Sequence, residues 1–432
     1  MDIFGNGMIS VSGVAFLVFC VLAIAAVGYA LGRITVKGVS LGDSGVFIVA
    51  LIFGCFLYGA LESALAIKVD GVVVGSMAEN ALKLIENLGL ILFVTSVGCI
   101  AGPKFFGNLK KNFKSYVLLG LVIILAGAVA AISCIYAGRA FGTESIQGGD
   151  EGLTAMVVGL LSGSLTSTPA FSAAKATVNP ELESLVTVGH GIAYIFGVLG
   201  VVLFVQLIPK MCKANMEEER AKLVSVENGG KVRKAIDKII HMDEFGIMPF
   251  ALAAVLGVLV GSIKIPLSGE GWAALFAGQK IVGTTFSLTS TGGCLLMSLI
   301  FGHFARIGRV SIMPKDSVLK VFREFGLVLF LIGAGVAGGA DFVATFQPIY
   351  FVYGIWMTIL PMIIGYFFAR YVLKLSLLNN LGSLTGGMTS TPALGTLINV
   401  AGTEDVAGAY AATYPIALIA VVLVSQFLIL LF

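Results

Sequence analysis

The chain has 432 residues, of which 58% are hydrophobic and only 12% are charged. A soluble globular protein carries about 25% charged residues, so this chain lacks the polar groups that would cover a surface in water. Its net charge of +3 is too small to indicate a nucleic-acid partner.

Apolar segments recur along the chain at about the length, roughly 20 residues, that a helix needs to cross a bilayer. The first six lie at about 11–32, 44–62, 84–101, 115–137, 153–177 and 186–208. Six more lie at about 245–262, 283–302, 321–338, 347–369, 379–399 and 408–431. The first lacks a basic start and a small-residue cleavage site, so it is predicted to be a membrane helix and not a signal peptide. The lipid bilayer is therefore a predicted partner, and the predicted fold is an all-α polytopic membrane protein.

The two sets of segments share sequence strings in the same order, as an internal duplication produces. LIFG (51–54) returns at 299–302, LGLILF (88–93) as FGLVLF (325–330), and GSLTSTPA (163–170) as GGMTSTPA (386–393). The alignment matches Gly54 with Gly302, Gly98 with Gly335, Pro169 with Pro392, and Tyr194 with Tyr414, and the separation falls steadily from the first pair to the last, as differences in loop length produce. SLTST at 287–291 copies 164–168 without the proline, and the alignment puts it against 40–44, so it is not a third copy.

Positive charges predict which loops are cytoplasmic, because such loops carry an excess of Lys and Arg. Arg33 and Lys37 follow the first segment, and four lysines lie in 104–114 after the third. Both loops should therefore be cytoplasmic, which puts the N-terminus outside. If all six segments crossed, the lysine-rich linker 209–244 would also lie outside, in conflict with its positive charge. The conflict disappears if the fifth segment of each half enters the membrane and returns to the same side.

Each half is therefore predicted to contain five transmembrane helices plus one re-entrant hairpin. Five crossings are an odd number, so the halves are inverted repeats, a common plan in secondary transporters. The predicted units are a first membrane repeat (1–208), a cytoplasmic linker (209–244) and a second, inverted repeat (245–432). Both termini are predicted to lie outside.

The TSTP strings in the two hairpins are the predicted site. Pro is tolerated in the first turn of a helix, and Thr168 and Thr391 before it suit an N-cap, so each string predicts a half-helix that starts near mid-membrane. The free N–H groups and positive dipole end of such a helix favour an anion. The predicted substrate-binding residues are Gly163, Ser164, Thr166, Ser167, Thr168, Pro169, Gly386, Gly387, Thr389, Ser390, Thr391 and Pro392. The alternative is that each Ser/Thr-Pro pair only kinks an ordinary membrane helix.

The doubled Gly-x-x-Thr-x-Thr-Pro-Ala pattern, the preceding Gly-Leu-x-Leu-Phe segment and Tyr414-Pro415 resemble the aspartate:alanine exchanger family. The resemblance implies an alternating-access secondary transporter of the bacterial inner membrane. Its substrates would be small anionic or zwitterionic amino acids or dicarboxylates, such as aspartate and alanine, moved by exchange through a homodimer. Many members carry large soluble domains between the halves, which this linker is too short to hold. Ile195 also stands where the second half has Pro415.

A carboxylate symporter coupled to Na⁺ or H⁺ and a channel remain alternatives. No nucleophile elbow, P-loop, dinucleotide fingerprint or metal-spaced His pair is present, so neither an enzyme nor a cofactor is predicted. Glu86, Arg323 and Glu324 precede the third segments and are expected to pair or snorkel. No Lys or Arg is expected deep inside a segment, which leaves hydroxyls and helix N-termini to bind an anion.

Overall fold

The structure, a computed structural model, describes residues 13–36, 39–40, 44–69, 72–111, 113–141, 146–223, 240–266, 276, 285–403 and 405–432. Residues 37–38 and 41–43, and residues 224–239 of the linker, lie outside the described residues, and the side chains of 104–114 are not described.

Helices dominate both halves. The first half contains α1 (Gly13–Gly32), α2 (Ser44–Ala64), α3 (Ala78–Lys111), a π-helical turn (Phe113–Val117) leading into α4 (Leu118–Phe141), α5 (Gly149–Ser164), α6 (Thr168–Thr177), a 3-10 turn (Pro180–Leu182) and α7 (Glu183–Met211). After α8 (Met216–Ala221) in the linker come α9 (Ile247–Gly261), α10 (Thr289–Phe304), α11 (Asp316–Thr345), α12 (Ile349–Phe367) with a π-helical turn (Phe368–Val372), α13 (Leu377–Gly387), α14 (Thr391–Ala401) and α15 (Val406–Leu431).

The strands are short and lie in the connections. They are β1 (Thr35–Val36), β2 (Val39–Ser40), β3 (Ala66–Val69), β4 (Val72–Ser76), β5 (Ile240–His241), β6 (Ile265–Pro266), β7 (Thr285–Phe286), β8 (Arg306–Ile307) and β9 (Val310–Ser311). Antiparallel pairs join β1 with β2, β3 with β4, β6 with β7 and β8 with β9, while β5 runs parallel to β9. The β5–β9 pair holds the end of the linker beside the start of α11.

Eight helical stretches of the described chain are long and apolar enough to cross a membrane. Four of the twelve predicted segments are not among these eight. The segments 245–262 and 283–302 correspond to the shorter helices α9 (15 residues) and α10 (16 residues), and 153–177 and 379–399 are each divided between two short helices. A helix as short as α6 rises only about 15 Å, half of the roughly 30 Å hydrocarbon layer. The all-α polytopic class is confirmed, while the inverted orientation of the halves and their boundaries stay predictions.

Glycines bring the long helices into close contact. On α3 and α11, a methyl group at Gly89 would lie 2.6 Å from the Gly326 carbonyl oxygen, and one at Gly326 would lie 2.6 Å from that of Gly89. On α2, a methyl at Gly54 would meet the Val336 carbonyl and lie 2.8 Å from Gly339 Cα. Membrane helices commonly use small residues in this way to bring backbones together. The packing leaves no room for a side chain at these positions.

The same contact appears at the matching place in the second half. A methyl at Gly302 on α10 would lie 2.5 Å from the Cys99 carbonyl oxygen and 3.0 Å from Gly102 Cα on α3. Gly302 matches Gly54, and Gly102 matches Gly339 in the alignment of the two halves. The helix pairs α2–α11 and α10–α3 therefore use equivalent glycines, as a two-fold relation between duplicated halves would require.

We predict that Gly54→Ala destabilises the protein by about 1–3 kcal/mol, because the added methyl overpacks a backbone contact. Gly59→Ala on the same helix is the matched control, since no atom lies within 4 Å of its added methyl. That control is expected to leave stability unchanged or raise it slightly through helix propensity. Thermal unfolding in detergent measures both variants, and equal midpoints would contradict the assigned packing.

Candidate functional site

The two TSTP strings form equivalent backbone breaks. In the first, the Thr166 N–H donates to the Gly163 carbonyl (2.9 Å) and the Ser167 N–H to the Ser162 carbonyl (2.8 Å). These two bonds make a Schellman ending for α5, with Thr166 at the left-handed position, φ 50°. Glycine normally takes that position, because a β-branched residue is strained there.

The second break repeats the first. The Thr389 N–H donates to the Gly386 carbonyl (3.1 Å), and the Ser390 N–H donates to the Thr385 carbonyl (3.0 Å). Thr389 has φ 51°, nearly the same as its counterpart. The string at 287–291 also has a left-handed threonine, Thr289 with φ 54°, but it starts the continuous helix α10 and does not interrupt one.

A reciprocal pair of hydrogen bonds joins the two breaks. The Thr166 hydroxyl donates to the Met388 carbonyl (3.1 Å), and the Thr389 hydroxyl donates to the Leu165 carbonyl (2.6 Å). Each threonine thus satisfies the backbone oxygen that precedes the other threonine. A glycine would relieve the strain but would remove this bond, so the threonine side chain explains why the strained residue is there. The two breaks therefore meet at one place.

The helix that follows each break, α6 in the first hairpin and α14 in the second, is capped one position earlier than predicted. The N-cap of α6 is Ser167, whose Oγ accepts from the Ala170 N–H (3.3 Å), and the N-cap of α14 is Ser390. Assigning the caps to Thr168 and Thr391 was wrong, because the left-handed residue turns the chain and leaves the serine as the extended residue before the helix. Among the described residues, the buried Ser390 Oγ has no hydrogen-bond partner.

The predicted glycines support the breaks from behind. A methyl at Gly163 would meet the His190 carbonyl and lie 2.8 Å from the Tyr194 nitrogen, so α5 is pressed against α7. A methyl at Gly386 would lie 2.7 Å from the Tyr410 carbonyl oxygen of α15, and one at Gly387 would meet Ile123 of α4. These residues position the site and do not line it.

A cavity of about 380 Å³ lies directly at the breaks. Of the predicted residues, Thr166, Ser167, Thr168, Pro169 and Thr389 line it. Ser164 lies behind them, where its hydroxyl donates to the Gly354 carbonyl (3.0 Å). Thr391 and Pro392 begin α14, and their side chains lie outside the described residues. The volume is in the range of small-molecule sites, about 300–1,000 Å³.

One face of the site is closed by aromatic packing. Phe171 of α6 contacts Phe330 of α11 edge to face, with ring centroids 5.5 Å apart. His190 of α7 stacks on Phe171 at 4.1 Å, and its Nδ1 lies 2.8 Å from the Ser162 hydroxyl. His190 therefore has a packing and hydrogen-bonding role.

The matching positions of the other half lie open. In the alignment of the halves, Leu394 corresponds to Phe171, Phe93 to Phe330, and Tyr410 to His190. Leu394, Phe93 and Tyr410 all line the cavity. The cavity reaches toward the start of α11, beside the linker strand β5. The site is therefore closed on the face away from the linker and open on the face toward it.

A buried ion pair reinforces the closed face. Lys175 at the end of α6 lies 2.7 and 3.0 Å from the two carboxylate oxygens of Glu86 on α3, and both residues are 8% exposed. The expectation that no Lys or Arg lies deep inside a segment is wrong for Lys175, because its partner Glu86 compensates its charge. The sequence signal was a lysine inside segment 153–177 and a glutamate at the edge of segment 84–101.

The linker helix α8 holds the base of the second hairpin. Glu219 Oε2 accepts from the Leu377 N–H at the start of α13 (3.0 Å), and Arg220 Nε donates to the Ala401 carbonyl at the end of α14. An acidic side chain at a helix N-terminus and a basic one at a C-terminus both complement the helix dipole. The described linker therefore contacts the hairpin that carries Thr389.

Sequence reasoning missed the charged side chains of the cavity. Arg323 and Glu324 both line it, about two turns after α11 begins at Asp316. They pair with each other, Arg323 Nε to Glu324 Oε1 at 3.1 Å. The sequence predicts that they pair or snorkel, whereas their place in the cavity beside the TSTP breaks depends on tertiary packing.

Comparisons with known proteins give a consistent result. Residues 20–210 and 249–430 match the family model Asp-Al_Ex, described as a predicted permease membrane region. The chain is 26% identical to an uncharacterized transporter of Bacteroides fragilis over 565 aligned positions, covering 94% of this chain and 97% of the relative. It is 27% identical to an uncharacterized transporter of Bacteroides thetaiotaomicron with the same coverages, and 23% identical to a putative transport protein of Klebsiella pneumoniae, covering 98% and 99%. These alignments are longer than the 432-residue chain, so the relatives contain stretches without a counterpart here.

We predict that Thr166→Val and Thr389→Val each destabilise the protein by about 1–3 kcal/mol, because each leaves a buried carbonyl without its donor. Valine keeps the shape and the left-handed strain, so the change isolates the hydrogen bond. Thr385→Val is the control, since its hydroxyl bonds within its own helix to Gly382 (2.8 Å). Thermal unfolding with all three variants equal would contradict the reciprocal bond.

Proposed function

Because the chain belongs to the aspartate–alanine exchanger family of permease membrane regions, we propose that it is a secondary transporter that exchanges small amino acids or dicarboxylates. Membership makes it a membrane transporter. Aspartate, alanine and succinate are the substrates to examine, and the bacterial inner membrane, with both termini outside, is the proposed location. Transport here needs no catalytic step, so we propose no enzymatic activity.

The observation that supports exchange most directly is the meeting of two broken helices at one cavity. Half-helices α6 and α14 begin there, and their free N–H groups and positive dipole ends favour a carboxylate. Ser167 and Thr168 add hydroxyls to the same wall, while the hydroxyl protons of Thr166 and Thr389 are used in the bonds between the breaks. In this proposal the substrate carboxylate lies against the half-helix N-termini.

The difference between the two faces supports alternating access. A carrier must bind its substrate from one side while the other side is closed. Here the face toward the linker holds the cavity, and the opposite face is closed by Phe171, Phe330 and the Glu86–Lys175 pair. In the second state of the cycle, Leu394 would pack on Phe93 while Phe171 and Phe330 separate.

The decisive measurement is exchange in proteoliposomes. Purified protein is loaded with aspartate, alanine or succinate inside, and the labelled partner is added outside, with and without Na⁺ and at two external pH values. We expect saturable uptake that requires an internal substrate. Uptake into empty vesicles driven by a Na⁺ or H⁺ gradient would replace exchange with symport. Flux that does not saturate would indicate a channel.

A second prediction concerns the closed face. Glu86→Gln leaves Lys175 as a buried, unpaired charge, and removing one partner of such a pair costs about 3–5 kcal/mol. The double variant Glu86→Gln with Lys175→Met is expected to recover most of that stability, because no charge is then left unpaired. The control is Glu79→Gln, an exposed carboxylate on the same helix.

Access to the closed face gives the functional readout. Thr187 is buried beside Gly338 on this face. A Thr187→Cys variant in a cysteine-free background therefore reports access to this face. An impermeant thiol reagent, added from the side opposite the linker, should label it several times faster in the double variant than in the parent. Equal labelling rates would mean that the ion pair does not keep this face closed.

A further inference from the structure

The cavity has charged side chains in one part of its lining and none where the half-helices begin. Thr166 and Thr389 lie at one end, where the half-helices begin, while Arg323 and Glu324 line the wall near the start of α11. The rest of the described lining consists of apolar, hydroxyl and phenol side chains. Arg323 is therefore the one cation among the described lining residues.

The duplicated half gives a direct comparison. Arg323 precedes FGLVLF at the place where Glu86 precedes LGLILF, and Ile398 follows the second TSTP string at the place where Lys175 follows the first. In the first half, the ion pair across the helices uses both charges and is buried. In the second half, the position that corresponds to the lysine is the apolar Ile398. Glu86 is therefore paired with Lys175 in the first half, whereas Arg323 in the second half has an apolar residue at the position that corresponds to Lys175.

Glu324 compensates Arg323 only weakly. The two residues are neighbours on α11, and their side chains are 39% and 41% exposed. Ion pairs at such exposure contribute little, because water screens them and the side chains lose freedom. Glu324 Oε1 accepts from Nε and from one terminal nitrogen of Arg323. A guanidinium has five N–H donors in a planar fork, so donors remain for a second carboxylate.

We propose that Arg323 is a specificity residue that binds the second carboxylate of a dicarboxylate substrate. The first carboxylate lies at the half-helix N-termini, and the guanidinium binds the distal one in the two-bond geometry that Arg and carboxylate favour. A substrate with a single carboxylate, such as alanine, uses only the half-helix N-termini. This inference rests on the proposed transport function and adds the residue that separates its substrate classes.

The test compares uptake of succinate, aspartate and alanine by wild type, Arg323→Gln and Arg323→Lys. We expect Arg323→Gln to raise the KM for succinate and aspartate at least tenfold and to change the KM for alanine less than about twofold. Arg323→Lys keeps the charge without the planar fork and should fall between them. Arg309→Gln, an exposed arginine outside the cavity lining, is the matched control and should change none of the three.

The neighbouring carboxylate gives a test of opposite sign. Glu324→Gln removes the competitor for the guanidinium, so the KM for succinate and aspartate should fall. A merely structural Arg323–Glu324 pair would instead make both single variants worse for every substrate. That result, or an unchanged KM for succinate in Arg323→Gln, overturns the assignment of Arg323. A wild-type protein that transports none of the three substrates overturns the proposed function as well, so the two failures are distinguishable.

Discussion

Backbone groups in the middle of a membrane must find partners within the protein, and the site depends on how this chain meets that requirement. Interrupting a helix frees carbonyl and N–H groups that lipid cannot satisfy. The chain satisfies them with Schellman bonds in each hairpin and with the hydroxyls of Thr166 and Thr389 across the hairpins. The strained threonines, the meeting of the breaks and the cavity beside them are consequences of one hydrogen-bonding problem.

The glycine contacts supply the frame in which the breaks meet. Gly89 against Gly326 and Gly54 against Gly339 bring α2, α3 and α11 together at backbone distance, with Gly302 against Gly102 as the matching contact. Packing this close leaves little freedom for gradual deformation, so motion is expected as a movement of the hairpins against these helices. The contacts at Gly163 and Gly386 couple each hairpin to one long helix, α7 or α15.

The halves share a backbone but not a charge pattern, and the difference gives the site its direction. The first half has aromatic rings and a buried Glu86–Lys175 pair where the second has Leu394, Ile398 and Arg323. A duplicated frame provides two equivalent faces at one cavity. The substituted side chains make those faces unequal, so one is closed by aromatic packing and a compensated ion pair and the other presents a cation to the cavity.

The sequence by itself determined the features that follow from local composition and order. Apolar runs predicted the membrane helices, repeated strings predicted the duplication, and TSTP predicted interrupted helices at 163–170 and 386–393, because these signals depend on neighbouring residues. Only the tertiary structure decided that Ser167 and Ser390 are the caps, that Thr166 and Thr389 bond across the break, and that Lys175 pairs with Glu86. Those cross-break and ion-pair contacts join positions far apart in the chain, and hydropathy windows carry no information about which distant groups satisfy one another.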